Sequence, residues 1–520
     1  MKIKQKMEAI MSSQKVKSLS SIMTLIIAVM VFALAVGLGT VGTVGRDHGC
    51  TMILVGKGAT EDGSVLLAYN NDWDGKGASH LVVVPRKTHE PGARHVLSNG
   101  VEIDQPAQTY AYMGNELQWA DRTTFENGIN EYQVAVSFGT AVKVNEKAKK
   151  VDPLLKQESS KRGLLIPWRL ILERSRTARE GLELVEKLFN EYGLREDGSF
   201  AIADPNEIWL IQIGGGHHWA AVRVPDNCYV IQDNTFRMGE ISCENTDTCK
   251  CSPNLIEFSI EKGLSDPASG PFNFKRAWGH AYTQIPPRDR RIWRVQSLLN
   301  PSSMTLSPDT PYFDFPLFLS PEKKVTKEKL MSIMRDHLEG TELDTTDAYK
   351  QGNPHFTKER STCRTNTQYG VITQLRSWLP SEMGGVLWLA IANPDTSVYV
   401  PWYKGITEVP HVYQFGKGKS DPESAYWAFK RIGNLVNTHY GDLIEEVRKT
   451  WKAFEERELE TQKSVEKTAL ELFQKDESLA RAFLSSYSNA QALLAYDMAQ
   501  EMINGLQTRL VELQYRRIEK

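Results

Sequence analysis

The sequence predicts an α+β fold, in which helices and strands occupy separate layers. Strand-like and helix-like segments follow one another in blocks and do not alternate as in the βαβ units of a parallel sheet. With 41% apolar and 24% charged residues among 520, the chain has enough apolar material for a large core. A formal net charge of −2 disfavours a nucleic-acid-binding protein, because such proteins carry a clustered basic excess.

The first predicted element is a β-hairpin. Residues 51–55 and 65–69 are β-branched and apolar runs, and the segment ATEDGS between them supplies turn residues. Within that segment, Asp62-Gly63 is a strong hairpin signal, because glycine tolerates the backbone conformation that such turns need. Cys50 therefore stands at the start of the first strand.

A helix is predicted next. Thr177 and Glu180 have the spacing of a capping box, apolar residues then recur at helical spacing, and Gly193 is a stop signal. Strand-like segments follow at residues 200–230, 371–375 and 386–392.

From about Ser420 onward the pattern is helical and strongly charged. The stretch IEEVRKTWKAFEERELETQKSVEKTALELF contains no Gly or Pro and has many opposite charges at i,i+4 spacing. Its apolar positions do not keep a heptad, so we expect helices that pack on the rest of the protein, with a coiled-coil partner surface as the alternative.

The N-terminus has the layout of a secretory signal: a basic start, an apolar core over residues 22–36 and the small-residue stretch GLGTVGTVG. Extended to Val44, the apolar run is also long enough for an uncleaved membrane anchor. A lipid anchor on Cys50 is disfavoured. Lipoproteins usually have an apolar residue three positions before the lipid-bearing cysteine, and residues 47–49 lack one. We predict that residues 1–49 are a signal or pro-segment, or a membrane anchor. The body of the protein would then work outside the cytoplasm, in the periplasm, extracellularly or anchored to the membrane.

Six cysteines are present, and in an exported protein we expect disulfides. Three of them lie close enough in sequence to bridge locally: Cys243, Cys249 and Cys251. Their C-x5-C-x-C spacing matches no standard zinc pattern, so we favour disulfides or free thiols over a metal site there.

Cys50 is marked out by its position. If residues 1–49 are removed, this residue carries both a thiol and a free α-amine. A thiol with a pKa of about 8.5 needs a base, and an α-amine with a pKa of about 7.7–8.0 can take its proton. The alternative is an ordinary buried or disulfide-bonded cysteine at the start of a strand.

The segment CTMILVGKGATEDGSVLLAYNND resembles the opening of the dipeptidase A family of N-terminal nucleophile (Ntn) cysteine hydrolases. That family pattern begins C-T, passes through V-G-K-x-A-S/T-x-D-G-S and ends in R-x-x-D. The resemblance extends from Cys50 to about residue 440, through segments such as GGGHHWAAVRVP and RDHLEGT. It implies an Ntn-hydrolase-like αββα sandwich, with two packed sheets between helical layers. We predict the catalytic domain at residues 50–415 and a C-terminal helical extension at residues 416–520.

The resemblance also implies roles for three residues. Cys50 would be the nucleophile and its α-amine the general base, Asp72 would orient the amine, and Asn234 would offer its side-chain amide to the oxyanion. The sequence departs from the family at Tyr69, where the family has arginine. Tyrosine can donate a hydrogen bond but supplies no fixed positive charge. A less stabilised thiolate, an altered substrate preference or a loss of activity are the expected consequences.

Other conspicuous motifs have two interpretations each. His217 and His218 are either a metal or proton-transfer site or part of the fold. We favour the fold, because neighbouring strand residues point to opposite faces. The segment RDHLEGTELD at 335–344 is either a substrate-binding or charge-relay cluster or a capped helix end, with Gly340 as the expected helix stop. Cys363-Arg364 either brings a cation into the cleft or is an ordinary strand pair.

The sequence therefore predicts an exported cysteine-type dipeptidase that acts on short peptides and needs no metal or organic cofactor. No nucleic-acid partner is expected, membrane contact would occur only through an uncleaved N-terminal segment, and a homo-oligomer is possible. The alternatives are an acylamide hydrolase of the same fold and a non-enzymatic binding or scaffold protein, which Tyr69 motivates. Cleavage before Cys50 is either autocatalytic or the work of a signal peptidase.

Overall fold

The computed structural model describes residues 49–73, 77–155, 162–280, 289–344, 346 and 352–518. The predicted signal or anchor segment, up to residue 48, lies outside these residues. Among the helices that are described, none combines the length and the apolar character needed to cross a membrane.

An antiparallel six-stranded sheet contains the predicted hairpin. Its order is β14-β1-β2-β16-β17-β18, with β1 Thr51–Val55, β2 Val65–Asp72, β14 Tyr229–Gln232, β16 Thr367–Leu375, β17 Val386–Ile391 and β18 Val400–Tyr403. Thr51 pairs with Asn70 across β1 and β2, which confirms the hairpin. In the turn, Gly63 has a φ of +80°, and the Asp62 carboxylate accepts a hydrogen bond from the backbone N–H of Ser64 at 3.0 Å. The turn residues therefore act as the sequence predicts.

An antiparallel eight-stranded sheet faces the first sheet. Its order is β15-β13-β12-β11-β10-β9-β8-β3, with β3 Ala78–Val84, β8 Tyr112–Gln118, β9 Thr123–Asn130, β10 Ala135–Ser137, β11 Gly198–Ala203, β12 Ile208–Ile213, β13 Trp219–Arg223 and β15 Cys249–Cys251. Two small ribbons pair β4 Lys87–Thr88 with β7 Gln108–Thr109 and β5 Arg94–Val96 with β6 Glu102–Asp104. Strand β11 shows the layering, because alternate residues join different cores. Ala201 and Ala203 belong to the core shared with the six-stranded sheet. Phe200 and Ile202 belong to a second core on the other face.

Helices α2 Trp168–Arg174 and α3 Ala178–Tyr192 fill that second core on the outer face of the eight-stranded sheet. Helix α3 confirms the helix predicted from the capping pattern. The Thr177 side chain accepts a hydrogen bond from the backbone N–H of Glu180, and Gly193 ends the helix with a φ of +66°. The apolar side chains at helical spacing, including Leu182, Val185 and Phe189, are buried against the sheet.

The six-stranded sheet is covered by a second helical layer. It consists of α7 Lys327–Ile333, α9 Ala425–Val436, α10 Tyr440–Phe473 and α11 Glu477–Ile518. Shorter helices are α1 Glu146–Val151, α4 Leu255–Glu261, α5 Phe274–Trp278, α6 Arg291–Leu299 and α8 Ser381–Gly384. The long helices α10 and α11 pack on each other, and α11 also packs on β18. The layers therefore confirm the predicted α+β αββα sandwich, whereas the domain boundary between residues 415 and 416 stays a prediction.

Three local expectations differ from the structure or are refined by it. The helix before RDHLEGT ends at Ile333 and does not reach Gly340. Cys363 precedes β16 and is not part of a strand. The expected local disulfide is confirmed between Cys243 and Cys251, and Cys249 keeps a free thiol.

Candidate active site

The candidate nucleophile is buried where the six-stranded sheet begins. Cys50 immediately precedes β1 and is only 2% exposed, and its thiol is free. Burial, followed by the negative charge of Asp72, raises the pKa of the Cys50 thiol to about 12, although a hydrogen bond with the Tyr69 side chain opposes this rise. With Gly49 still attached, the sulfur is therefore a protonated thiol near neutral pH, and it needs a base to react.

Tyr69 occupies the position of the family arginine. It lies on β2 and is fully buried, with its ring 6.4 Å from that of Phe138 and 5.8 Å from that of Tyr369. Its hydroxyl hydrogen-bonds the Cys50 thiol and accepts a hydrogen bond from Asn71 Nδ2 at 3.3 Å. Tyr69 thus places a neutral hydrogen-bonding group beside the nucleophile but no positive charge.

Asp72 ends β2 next to the peptide bond that joins Gly49 and Cys50. Its backbone carbonyl accepts a hydrogen bond from the N–H of Gly49 at 2.9 Å. Its fully buried carboxylate accepts from Thr367 Oγ1 at 2.6 Å and from Arg360 Nη2 at 3.2 Å. Burial raises the pKa of Asp72, and Arg360 opposes that rise. The sequence-predicted acid is therefore close to the start of β1, and its role in orienting the amine stays a prediction.

Arg360 is a site residue that the sequence analysis missed. It is buried, and its Nη2 donates both to the carbonyl oxygen of Gly49 and to Asp72 Oδ2. Arg360 and Asp72 are 288 positions apart, and no motif around Arg360 signals the contact. A guanidinium from a distant segment thus places a positive charge beside Asp72 and the carbonyl of Gly49.

Arg291, at the start of α6, is a second missed residue. It is fully buried, and its Nη1 donates to the backbone carbonyl of Cys50 at 2.5 Å. Burial alone lowers the pKa of Arg291, but the carboxylate of Asp289, which accepts from Nε at 2.9 Å and from Nη2 at 2.5 Å, overcomes this effect and raises it. Arg291 therefore remains a cation beside the candidate nucleophile.

Both polar atoms of the side-chain amide of Asn234, the predicted oxyanion donor, make hydrogen bonds. Its Oδ1 accepts from Arg291 Nη2 at 2.8 Å, and its Nδ2 donates to the carbonyl of Ala141 at 2.9 Å. It also lies against the residue that precedes the nucleophile, because a Cβ added to Gly49 would lie 2.0 Å from Asn234 Oδ1. The structure thus brings together Cys50, Asp72 and Asn234 around one peptide bond.

The paired histidines have a structural role in the fold, but not for the reason expected. They precede β13 in a loop, so they are not adjacent strand residues, and both rings contact the same carboxylate. His217 Nδ1 is 3.1 Å from Asp152 Oδ1, and His218 Nδ1 is 2.7 Å from Asp152 Oδ2. His218 also stacks on the ring of Phe258 at 4.1 Å.

The segment RDHLEGTELD sends its side chains to partners on other elements. Arg335 is bound by Glu455 on α10, with hydrogen bonds of 2.8 and 2.5 Å. Asp336 accepts from Arg294 on α6 at 2.8 and 2.6 Å. The segment therefore follows the end of α7 and pairs its charges with distant elements, whereas a substrate-binding or charge-relay role stays a prediction. Its His337 joins a separate group of side chains described below.

Residues 49–453 match the family described as Peptidase family C69. The curated protein "Probable dipeptidase B" of Lactococcus lactis subsp. lactis (strain IL1403) is 29% identical over 456 residues, which are 84% of this chain and 93% of that protein. "Probable dipeptidase" of Salmonella dublin is 30% identical over 381 residues, 72% of this chain and 84% of that protein. A solved structure of a mutant conjugated bile acid hydrolase from Clostridium perfringens aligns at 13% identity with a TM-score of 0.28, covering 66% of this chain and 89% of that one.

Proposed function

The chain belongs to peptidase family C69, and we propose that it is an exported dipeptidase whose nucleophile is Cys50. Family membership confirms the predicted resemblance, and together with the relatives named as probable dipeptidases it confirms the predicted cysteine-type dipeptidase class. Tyr69, which motivates the non-enzymatic alternative, remains a departure from the family pattern. Export, membrane attachment and a homo-oligomer stay predictions.

One observation carries the assignment of the nucleophile: the groups needed for acyl transfer meet at the bond between Gly49 and Cys50. Asp72 and Arg360 contact Gly49, and Arg291 contacts the carbonyl of Cys50. Removal of residues 1–49 would free the α-amine of Cys50 at this point. The amine would then act as the general base for the thiol of the same residue.

The proposed reaction has two stages. The amine takes the thiol proton, and the thiolate attacks the carbonyl carbon of the scissile peptide bond. The tetrahedral intermediate collapses, the C–N bond breaks, and the departing amine takes the proton back from the Cys50 ammonium, which leaves a thioester. Water, deprotonated by the same amine, then hydrolyses the thioester and regenerates the thiol.

Arg360 is proposed to stabilise the oxyanion of these steps. Its Nη2 already donates to the carbonyl oxygen of Gly49, the group that lies next to Cys50 before cleavage. A substrate carbonyl in the same place would receive that hydrogen bond from a charged donor, with the amide of Asn234 alongside. Arg360 would thus perform the electrostatic role that Tyr69 cannot.

The test combines the start of the mature chain with its activity. N-terminal sequencing and intact mass of the exported protein should show a chain that begins at Cys50. This mature protein should hydrolyse dipeptides, Cys50→Ala should abolish turnover, and Cys228→Ala, which removes a partly exposed free thiol elsewhere, should not. A mature chain that starts elsewhere, or equal turnover by Cys50→Ala, would contradict the proposal.

The same variants separate the remaining alternatives. Turnover of acylamides but not of dipeptides would move the substrate to the acylamide class. A full-length Cys50→Ala chain that stays uncleaved, while Cys228→Ala is processed, would indicate autocatalytic cleavage. Processing of both would indicate a signal peptidase.

A further inference from the structure

We propose that His337, His355, Cys363 and Asp395 form a structural zinc site, separate from the residues that surround Cys50. The four side chains come from four segments: the loop after α7, the 3-10 helix Pro354–Phe356, the loop before β16 and the loop after β17. One ligand-type atom from each residue lies within 4.8 Å of the corresponding atom of every other residue. Two imidazoles, a thiol and a carboxylate are a donor set that zinc accepts.

The distances between the donor atoms match a tetrahedral site. His337 Nε2 is 3.1 Å from His355 Nε2. Asp395 Oδ2 is 3.2 Å from His355 Nε2 and 3.8 Å from His337 Nε2. Zinc bonds of about 2.0–2.3 Å place neighbouring ligand atoms roughly 3.3–3.8 Å apart. The three donors thus already lie close to the edges of one tetrahedron.

The contacts of the two histidine Nδ1 atoms orient the rings so that their Nε2 atoms face the centre of the cluster. His355 Nδ1 lies 2.8 Å from Asn437 Oδ1, an acceptor, so a proton on Nδ1 would be hydrogen-bonded there and Nε2 would be available to a metal. His337 Nδ1 lies 3.5 Å from the Glu339 carboxylate, which favours the same tautomer. In metal sites, a ligating histidine almost always donates its second nitrogen in this way. Two Nε2 atoms and a carboxylate then converge on one point, which is the arrangement that a bound cation needs.

Burial of these side chains favours a cation at this point. The side chains of His337 and His355 are each 1% exposed, and that of Asp395 is 0% exposed. Asp395 Oδ1 accepts no hydrogen bond from any described residue. A buried carboxylate is normally paired with a cation or bound to a metal. The charges of Lys430 and Arg448 also act on Asp395, but Lys430 Nζ donates to the Thr365 carbonyl at 2.7 Å and Arg448 lies 3.7 Å from Glu339.

A metal ion could reach the site from solvent, and its binding would constrain the segment that carries Arg360. A cleft of about 760 Å³, lined by Asp395, Glu339 and Arg448 among others, reaches one side of the cluster. Four protein ligands leave no open coordination position, which is typical of structural zinc. Because Arg360 lies between His355 and Cys363 in the chain, zinc would fix both ends of the segment that carries Arg360.

The test measures metal rather than turnover, so its outcome does not depend on the proposed dipeptidase activity. The full-length chain, dialysed against zinc and then against metal-free buffer, should retain about one zinc per chain by elemental analysis. His355→Gln and Cys363→Ser should lose most of it, and Cys228→Ser should retain it. Equal zinc in wild type and Cys363→Ser would overturn the proposal and place the metal elsewhere. Almost no zinc in wild type would overturn it too and indicate a proton-bridged His–His–Asp network.

A cobalt experiment covers the case in which the site variants fail to fold. Cobalt(II) added to a Cys50→Ala, Cys228→Ser chain, which keeps the cluster intact, should give the visible bands of a tetrahedral site and a thiolate-to-cobalt charge-transfer band. Addition of zinc should remove both. A folded chain that shows neither band would contradict the proposal.

Discussion

The two flanks of the bond between Gly49 and Cys50 differ in charge. The hairpin flank, on β2, presents the acid Asp72 and the neutral hydroxyl of Tyr69. The arginine flank, residues 289–360, presents Arg291 and Arg360, both buried and both in contact with residues 49 and 50. The hairpin flank can therefore change the pKa of the Cys50 thiol. Stabilisation of a developing negative charge has to come from the arginine flank.

The largest expected effect comes from the arginine flank. Arg360→Gln removes the charge that pairs with Asp72 and, in the proposed mechanism, stabilises the oxyanion. Loss of one such donor costs about 10²–10³ in kcat, and we expect a fall of that size with a smaller change in KM. Steady-state kinetics of the mature protein with a dipeptide measures it. The control is Arg86→Gln, a partly exposed arginine at the surface. An unchanged kcat in Arg360→Gln would remove the proposed role.

A smaller effect is expected from the hairpin flank. Tyr69→Phe removes the hydrogen bond that opposes the raised pKa of the Cys50 thiol. A hydrogen bond worth about 0.5–1.5 kcal/mol corresponds to a loss of about 2- to 13-fold in rate near neutral pH. The pH–rate profile should also move to higher pH. Tyr413→Phe, which deletes a buried hydroxyl bound to the Ala492 carbonyl, should leave the profile in place. Coinciding profiles for Tyr69→Phe and wild type would show that the hydroxyl does not act on the nucleophile.

The smallest effect on activity is expected from a substitution of Glu126, on β9. For this residue we predict a pH-dependent change in the stability of the folded state. Burial raises the pKa of Glu126 from 4.5 to about 8, although the hydrogen bond from Thr124 opposes the rise. The unfolded chain ionises this carboxyl from about pH 4.5, so the folded state loses stability as the pH rises from about 4.5 to about 8. Glu126→Gln removes that loss. The variant should unfold at a higher temperature than wild type at about pH 8, and the difference should vanish at about pH 4.

Glu116→Gln provides a control of opposite sign. Burial alone raises the pKa of Glu116, but His80 and Arg169 overcome this effect and lower it. A carboxyl whose pKa is lower in the folded state stabilises that state at pH values above the pKa of the unfolded chain. This stabilisation is lost as the pH falls. Thermal unfolding of Glu116→Gln should therefore show a destabilisation at about pH 8 that shrinks at about pH 4. A shift of the same sign in both variants would contradict the assignment.

Local patterns in the sequence were sufficient for much of the fold. The apolar runs around Asp62-Gly63 predicted the β1–β2 hairpin, and the Thr177 and Gly193 signals predicted α3. These elements are determined by residues close in sequence, so their patterns are visible without tertiary information. The predicted roles of Cys50, Asp72 and Asn234 came from a family resemblance, and those roles stay predictions.

Long-range packing accounts for what the sequence did not predict. Arg291 contacts the Cys50 carbonyl across 241 positions, and a single arginine in a loop or at a helix start carries no pattern. The helix before RDHLEGT stops at Ile333 although Gly340 looked like its end. There Asp336 binds Arg294 and also accepts from the backbone N–H of Leu338, whose φ is +72°. The helix thus ends before this segment, where Asp336 takes part in a tertiary ion pair and a local turn that the stop signal at Gly340 did not indicate.

The close contact between Gly49 and Asn234 has a consequence for when the enzyme works. Any side chain at position 49 would collide with that amide, so glycine is the residue that lets an uncut chain settle into its own active site. In that state Cys50 has no free amine, and under the proposed mechanism Gly49 would fill the space where a substrate carbonyl binds. The precursor would then be a zymogen that blocks itself, and peptide hydrolysis would begin only after the chain has been cut.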